Sequence, residues 1–153
     1  MTDRSELENI MQAIYRARAD NDLDALMAYV HPACSFRIAG SDRLGPMAQK
    51  IEGGDAVRLN FKSLMDVWDL SKVGTLALHV DGETVFAHRA GEVRFVPSDA
   101  RFETEFVDKV TFRDGLMVEI MEFVDTQQLV EVATPVGMTV PLASFAVTEQ
   151  AGG

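Results

Sequence analysis

The sequence is poor in the residues and runs that mark several classes of protein. Only one of its 153 residues is a cysteine, Cys34, so no disulfide can form within the chain. Cys34 stands in an apolar setting, which favours a small buried core residue over a nucleophile. No apolar run approaches the roughly 20 residues that span a bilayer, and the N-terminal residues lack the blocks of a secretory signal. We therefore expect a cytoplasmic protein with no membrane partner.

Positive charge is also scarce. The chain has 14 Lys and Arg against 24 Asp and Glu, a formal net charge of −10, and no cluster of basic residues. Nucleic acid is therefore not expected as a partner. The three histidines, His31, His79 and His88, do not fall at metal-ligand spacing with one another or with Cys34. The sequence also has no glycine-rich phosphate loop and no nucleophile elbow, so we expect neither a metal nor a cofactor.

The overall composition is that of one globular domain. Hydrophobic residues make up 47% and charged residues 25%, and a chain of this length can bury a sizeable core. Regular patterning ends near residue 132, and the remainder carries Pro135, Gly137 and Pro141 among scattered apolar residues. We predict a domain over residues 1–132 and a tail over residues 133–153 that packs on the domain or on a partner subunit.

The first half of the chain is predicted to be helical. Apolar residues three and four apart predict a helix over residues 5–20, a second from Asp22 to about residue 30, and a third from Asp55 to Trp68. A short strand, Cys34 to Ile38, and a loop over residues 40–54 separate the last two helices.

The second half is predicted to be a sheet. Four extended stretches cover residues 73–81, 83–96, 101–113 and 116–124, and a helical turn follows to about residue 132. Asp-Gly dipeptides at 81–82 and 114–115 predict hairpins within the first and the last pair of stretches. Helices followed by an antiparallel meander indicate an α+β protein.

One extended stretch carries a charge where its pattern predicts an apolar side chain. In residues 102–113 the even positions are Phe, Thr, Phe, Asp, Val and Phe, while most odd positions are charged. Successive strand residues face opposite sides, so Asp108 stands between Phe106 and Val110 on the apolar face. A buried carboxylate costs free energy unless it is paired, hydrogen-bonded or protonated. Asp108 is therefore the first candidate for a functional residue.

Several segments, taken in order, resemble the nuclear-transport-factor-two-like superfamily, which includes SnoaL-like polyketide cyclases and ketosteroid isomerases. They are the N-terminal helix, the Asp22-Leu23-Asp24 helix start, the glycine-led helix near Gly54, and Val107-Asp108 followed by Phe112-Arg113-Asp114-Gly115-Leu116-Met117-Val118-Glu119. The resemblance implies a cone-shaped α+β barrel, with N-terminal helices packed on a strongly bent antiparallel sheet that encloses an apolar cavity. It also implies a homodimer. The superfamily hosts isomerases, cyclases, dehydratases, epoxide hydrolases and non-catalytic binding domains, so the pocket residues must decide the function.

The resemblance implies a role for Asp108, but other functional positions of the superfamily hold different residues in this chain. Asp108 falls where ketosteroid isomerases keep a protonated Asp that donates to the substrate oxygen. The general base of those enzymes aligns with Ile38, which cannot take a proton and argues against steroid isomerase chemistry. Their helix-one tyrosine aligns with Ile14, and Tyr15 stands one place further along.

Three titratable residues share the cavity face under this alignment. His88 is expected on one face with Phe86 and Ala90, Asp108 with Phe106 and Val110, and Glu122 with Val118 and Ile120. A His beside an Asp in an apolar cavity resembles the acid/base arrangement of SnoaL-like cyclases. We expect Asp108 and His88 to be catalytic and Glu122 or Tyr15 to hold the oxygen of a small, mostly apolar carbonyl compound. The predicted apolar walls are Phe36, Phe61, Met65, Trp68 and Phe106.

The same residues allow structural interpretations. His88 could be a core histidine bonded to a backbone carbonyl, and Asp108 could be a structural acceptor paired with Arg37, Arg89 or His88. Glu122 lies near a strand end and could be solvated. The alternative function is a non-catalytic ligand-binding or dimerisation module of the same fold, in which the polar groups of the pocket pair with one another.

Overall fold

The computed structural model describes residues 2–134. Its helices are α1 (Arg4–Ala19), α2 (Leu23–Met27), α3 (Gly54–Val67) and α4 (Thr126–Ala133). Its strands are β1 (Val30–Ile38), β2 (Ile51–Glu52), β3 (Trp68–Asp81), β4 (Thr84–Phe95), β5 (Ala100–Arg113) and β6 (Leu116–Phe123), and a 3₁₀ helix, Asp42–Ala48, lies between β1 and β2. From residue 135 onward, the predicted tail lies outside the described residues. No helix within residues 2–134 combines the length and apolar character needed to cross a bilayer.

The six strands form one strongly curved sheet in the order β2-β1-β6-β5-β4-β3. The α+β prediction and both hairpins, β3–β4 and β5–β6, are confirmed. The sheet is mixed, however, because β1 runs parallel to β6, and it is not closed into a barrel. The expectation of a purely antiparallel sheet is wrong at this pair, since β1 arrives from the helical half of the chain and joins a distant strand.

Two element boundaries differ from the periodicity-based prediction. Helical spacing predicts a helix to about residue 30, but α2 ends at Met27 and Val30 already pairs with Met117 of β6. The Met117 amide donates to the Tyr29 carbonyl oxygen at 2.7 Å. Trp68, predicted to end a helix, instead begins β3 and pairs with Phe95. In both places pairing with a distant strand overrides local helical spacing.

A close approach between β3 and β4 accompanies the curvature of the sheet. The pairing shifts between Asp69 and Lys72, and Gly91 of β4 lies opposite Val73 with a φ of 151°. A Cβ at Gly91 would lie 2.3 Å from the Lys72 carbonyl oxygen and 2.9 Å from Val73 Cα. Only glycine permits this contact, which adds twist and bend as a β-bulge does.

The hydrophobic core lies between the helices and the concave face of the sheet. Both sides contribute large apolar side chains, among them Leu7, Met11 and Ile14 of α1, Leu26 of α2, Phe61 of α3, and Phe36, Val85, Val110, Phe112 and Ile120 of the sheet. Cys34 is fully buried, as predicted. Burial raises the pKa of its thiol to about 11, so the sulfur stays protonated and unreactive at neutral pH.

Candidate functional site

The alternation of β4 is opposite to the predicted one. Ala87 lies across from Asp108, so odd-numbered residues of β4 face the core, and His88 lies across from Val107 on the outer face. His88 Nε2 is 2.9 Å from Glu105 Oε1, and its side chain is 38% exposed. The prediction that His88 shares the cavity with Asp108 is therefore wrong. Both faces of this strand carry apolar residues, so periodicity could not choose between them, whereas pairing with β5 does.

Asp108 lies on the concave face of β5, as its sequence pattern predicted, and is 6% exposed. The Tyr15 hydroxyl, from α1, donates to Asp108 Oδ2 at 2.6 Å. The other oxygen, Oδ1, is buried and has no hydrogen-bond partner among the described residues. Tyr15 thus reaches the carboxylate although it lies one position from the aligned tyrosine.

The buried polar residue on the inner face of β4 is Arg89, where the sequence predicted His88. It is 4% exposed, and its guanidinium carbon lies 3.6 Å from the centre of the Tyr15 ring, a cation–π contact. Arg89 Nη1 donates to Thr75 Oγ1 at 2.8 Å. Within residues 2–134 no cationic nitrogen lies within 4 Å of the Asp108 carboxylate. Asp108 is therefore not neutralised by a contacting arginine.

The environment shifts the proton affinity of this group of residues. Burial raises the pKa of Asp108 to about 6, against the Tyr15 hydrogen bond and the Arg89 charge, which lower it. Burial, followed by the Asp108 charge, raises the pKa of Tyr15 well above its ordinary value. Tyr15 is therefore a neutral donor, and Asp108 titrates close to neutral pH.

Glu122 lies beside Asp108 on the same face of the sheet. In β6 it is directly opposite Asp108 and alongside Ile38 of β1. Burial raises the pKa of Glu122 to about 8, and the Asp108 charge adds to the shift, while Arg18 and Arg89 oppose it. Two carboxyl groups this close titrate as a pair, and one of them keeps a proton at neutral pH.

A half-open pocket of about 110 Å³ lies against this group. Its lining is mostly apolar: Arg18, Ile38, Phe61, Leu64, Trp68, Leu70, Val93, Phe102, Thr104, Phe106, Glu122, Val124, Asp125, Gln128 and Leu129. Of the predicted site residues, Phe61, Trp68, Phe106 and Glu122 line it. Phe36 and Met65 are buried in the core outside the lining, and Tyr15 and Asp108 lie behind it.

Helix α4 forms one side of the pocket. Asp125 caps this helix by accepting from the Gln128 amide at 3.0 Å. The Gln128 side chain donates from Nε2 to the Glu103 carbonyl oxygen at 2.9 Å, which ties α4 to β5. Leu129 then faces the pocket.

Arg18 is the functional candidate that the sequence reasoning missed. Arg18 Nη2 donates to the Trp68 carbonyl oxygen at 2.6 Å and to the Leu64 carbonyl oxygen at 3.4 Å. A signal was present, because Arg18 follows Met11 by seven residues and Ile14 by four, which puts it on the buried face of α1. For Arg89, the sequence predicts only a possible pairing with Asp108.

The polar groups of the site suit proton transfer. Within residues 2–134, no three His, Cys, Asp or Glu side chains lie close enough together to hold a metal ion. Of the paired carboxyl groups Asp108 and Glu122, Glu122 faces the pocket, and Asp108 lies opposite it on the neighbouring strand with its hydrogen bond from Tyr15. A carboxyl with a raised pKa in an apolar pocket can exchange a proton with a bound molecule near neutral pH.

Known proteins share both a sequence pattern and this architecture with the chain. A family model of the SnoaL-like domain matches residues 11–120. No curated protein sequence matches. A candidate isomerase from Bacillus subtilis has a similar solved structure, with a TM-score of 0.75 and 14% identity over 86% of this chain and 94% of its own.

Two further solved structures are similar. An NTF2-like protein from Burkholderia xenovorans has a TM-score of 0.69 and 19% identity over 86% of this chain and 98% of its own. A candidate polyketide cyclase from Xanthomonas campestris pv. campestris has a TM-score of 0.68 and 15% identity over 85% and 98%. At such identities the likeness shows the fold, while function depends on the residues of the site.

Proposed function

Because the chain belongs to the SnoaL-like domain family, we propose that it is a small-molecule enzyme of the isomerase, cyclase or dehydratase type. Its substrate is a mostly apolar compound with a carbonyl group, and Glu122 transfers the proton. The reaction needs no cofactor, because a carboxyl group alone can move a proton next to a carbonyl.

One observation carries the proposal: a carboxyl group with a pKa raised to about 8 faces a pocket whose other walls are mostly apolar. Within residues 2–134, no cationic nitrogen lies within 4 Å of the Glu122 carboxyl oxygens, and the Glu122 side chain makes no hydrogen bond. A non-catalytic module would be expected to pair its pocket groups with one another. Glu122 instead remains available to a bound molecule.

The proposed step is proton abstraction beside the carbonyl. The Glu122 carboxylate takes a proton from the α carbon, the C–H electrons form the C=C bond of an enolate, and the carbonyl electrons move onto oxygen. Glu122, now protonated, returns the proton at the same or another carbon. Burial, with the Asp108 charge adding to it, raises the pKa of Glu122 and makes it a stronger base than an exposed carboxylate.

Asp108 is thus a positioning residue in this proposal and not the group that touches the substrate. Its hydrogen bond from Tyr15 fixes the carboxylate behind the pocket wall, across the strand pair from Glu122. His88 has no role in the proposed reaction, because it lies on the outer face of the sheet.

The proposal is tested by deuterium exchange into 2-indanone, a small bicyclic ketone with acidic α hydrogens. NMR in D₂O near neutral pD measures the exchange rate above that of buffer. Glu122→Gln keeps the shape of the side chain but removes the proton acceptor, so we expect the protein-catalysed rate to fall about 10²- to 10⁴-fold. The matched control is Glu119→Gln, an exposed glutamate of the same strand, which should exchange at the wild-type rate. Equal rates in wild type and Glu122→Gln would contradict the proposal.

We also propose that the protein is a homodimer that pairs through the outer face of the sheet. Phe86 and Phe123 are 37% and 44% exposed there, and Val107 lies directly across from His88 and from Phe123. Large apolar side chains grouped on one sheet face favour burial against another copy of the chain.

A further inference from the structure

We propose that Arg18 is an anion-binding residue, so that the molecule taken by the pocket carries a carboxylate beside an apolar body. The inference rests on the proposed function in one respect: it names the chemical class of the substrate for the same pocket. It depends on a different residue, on a different element, from the proton transfer.

The first step is that Arg18 is held in place while several of its donors stay free. Both of its hydrogen bonds come from Nη2, to the carbonyl oxygens of Trp68 and Leu64. A guanidinium has five N–H groups. Nε and Nη1 have no acceptor among residues 2–134, and neither is enclosed as an unpaired buried atom. Arg18 lines the pocket, so these remaining donors are available to a ligand there.

The second step concerns the carboxyl groups that could neutralise Arg18. Glu122 and Asp69 are the acidic groups whose charges act on it, and neither has an oxygen within 4 Å of its nitrogens. Asp69 accepts from the Ser71 amide at 2.9 Å and lies 3.5 Å from Arg94. Asp125, also in the lining, caps helix α4. Burial raises the pKa of Glu122, which favours its neutral form. The positive charge of Arg18 is therefore left without a contacting anion among the described residues.

The third step is the nature of the surrounding wall. Phe61, Trp68, Phe102 and Leu129 make the pocket mostly apolar, and charges attract more strongly where water is excluded. A planar carboxylate can accept two parallel N–H groups from a guanidinium. A single arginine, with no lysine in the described lining, suits a monoanion better than a phosphate dianion. An apolar keto acid fits both the wall and the charge.

Isothermal titration calorimetry at pH 7 with indane-2-carboxylate and indane-2-carboxamide tests this inference. The two probes have nearly the same shape and differ in charge. We expect the carboxylate to bind wild type at least about tenfold more tightly, because it carries the charge opposite to the guanidinium and can accept two parallel N–H groups. Equal affinities, tighter binding of the carboxamide, or binding of neither probe would overturn the proposal.

Two variants locate the charge. Arg18→Gln should weaken carboxylate binding about ten- to a hundredfold while leaving carboxamide binding within a few-fold, so the carboxamide also reports an intact pocket. If Arg18→Gln fails to fold, Arg18→Lys serves instead: it keeps the charge but loses the planar fork, and should weaken carboxylate binding less than the loss of charge would. Carboxylate affinity unchanged in Arg18→Gln, or unchanged in Arg18→Lys if Arg18→Gln does not fold, would refute the assignment.

The same probes separate this proposal from the proton-transfer proposal. Glu122→Gln should bind indane-2-carboxylate at least as tightly as wild type, because it removes an acidic group of the lining whose ionised form would repel the carboxylate of the probe. If wild type prefers the carboxylate and Glu122→Gln still exchanges 2-indanone at the wild-type rate, the anion site is supported and the catalytic role of Glu122 is contradicted. Loss of exchange in Glu122→Gln without any carboxylate preference in wild type supports the catalytic role and contradicts the anion site.

Discussion

At the scale of single residues, the site consists of two carboxyl groups made unequal by their surroundings. Asp108 and Glu122 lie opposite each other on neighbouring strands. Asp108 is deeper, receives the Tyr15 hydrogen bond and lies near Arg89. Glu122 faces the pocket, and its pKa is raised by burial and by the Asp108 charge. Two carboxyl groups whose environments separate their pKa values are a common basis for acid/base chemistry.

This inequality predicts how stability depends on pH. The pKa of Glu122 rises from 4.5 to about 8 on folding, so the folded protein holds a proton that the unfolded chain has lost between these values. The free energy of unfolding that depends on Glu122 is therefore highest below about pH 4.5. It falls as the pH rises from there through the folded pKa of about 8. Urea unfolding between pH 5 and 9 should show a falling free energy of unfolding in wild type and a flatter profile in Glu122→Gln.

Charged groups near Glu122 also affect the pH dependence of stability, and two variants separate their contribution from that of Glu122. Asp108, Arg18, Arg89 and Tyr15 all act on this part of the site. The raised pKa of Asp108 gives a slope of the same sign at lower pH, and that slope should remain in Glu122→Gln. Glu119→Gln changes the formal charge of the chain equally but at an exposed position, so it should keep the wild-type profile. A wild-type profile in Glu122→Gln would show that Glu122 is not protonated by folding.

At the scale of elements, the close contact between β3 and β4 lies beside the part of β4 that carries Arg89. The close approach at Gly91 lies two residues from Arg89 and gives the pair its local bend. Arg89 reaches both Tyr15 and Thr75 from this position. A change that separates the two strands here should therefore affect stability and the buried group together.

Gly91→Ala tests this arrangement. The added Cβ would meet backbone atoms of Lys72 and Val73 that cannot easily move, at a φ that L residues rarely adopt. We expect the free energy of unfolding to fall by about 1–3 kcal/mol, measured with urea.

Gly74 of β3 provides the matched control. A Cβ there would have no atom within 4 Å. Since glycine inside a strand costs roughly 0.5–1 kcal/mol relative to alanine, Gly74→Ala should leave stability unchanged or raise it slightly. Equal destabilisation by both substitutions would contradict the prediction, because the close approach exists only at Gly91.

At the scale of the whole molecule, the curved sheet has two faces with different uses. The concave face holds the core, the buried charged group and the pocket. The convex face carries His88 with Glu105 and the exposed Phe86 and Phe123. The proposed dimer would cover this convex face and leave the pocket on the opposite side.

The dimer is tested by light scattering after size-exclusion chromatography. Phe86→Glu puts a charge at the centre of the proposed contact, where an unpaired buried charge is costly, and should convert dimers to monomers. Leu59→Glu on α3 introduces the same charge at a 71% exposed leucine away from that face and should leave the dimer intact. A monomeric wild type, or a dimer that survives Phe86→Glu, would contradict this prediction.

Much of the fold could be predicted because its signals are local. The hairpins followed from Asp-Gly turns, and Asp114 and Gly115 indeed both adopt positive φ. The helix at Asp22 followed from its cap, which accepts from the Ala25 amide at 3.0 Å. Parallel pairing of β1 with β6 could not be predicted, because it joins segments about 85 residues apart and leaves no local pattern.

The sequence by itself determined the α+β order, the buried Cys34 and the inward carboxylate Asp108, because periods of 2 and 3.6 residues are written into the order of side chains. Only the tertiary structure decided that Arg89 and not His88 faces that carboxylate, that Tyr15 reaches it, and that Arg18 and Glu122 line one pocket. These relations depend on strand register and on how α1 lies across the sheet. Register is fixed by contacts between distant segments, and composition does not reveal it. A one-residue shift in register turns each side chain to the opposite face and so changes which side chains meet.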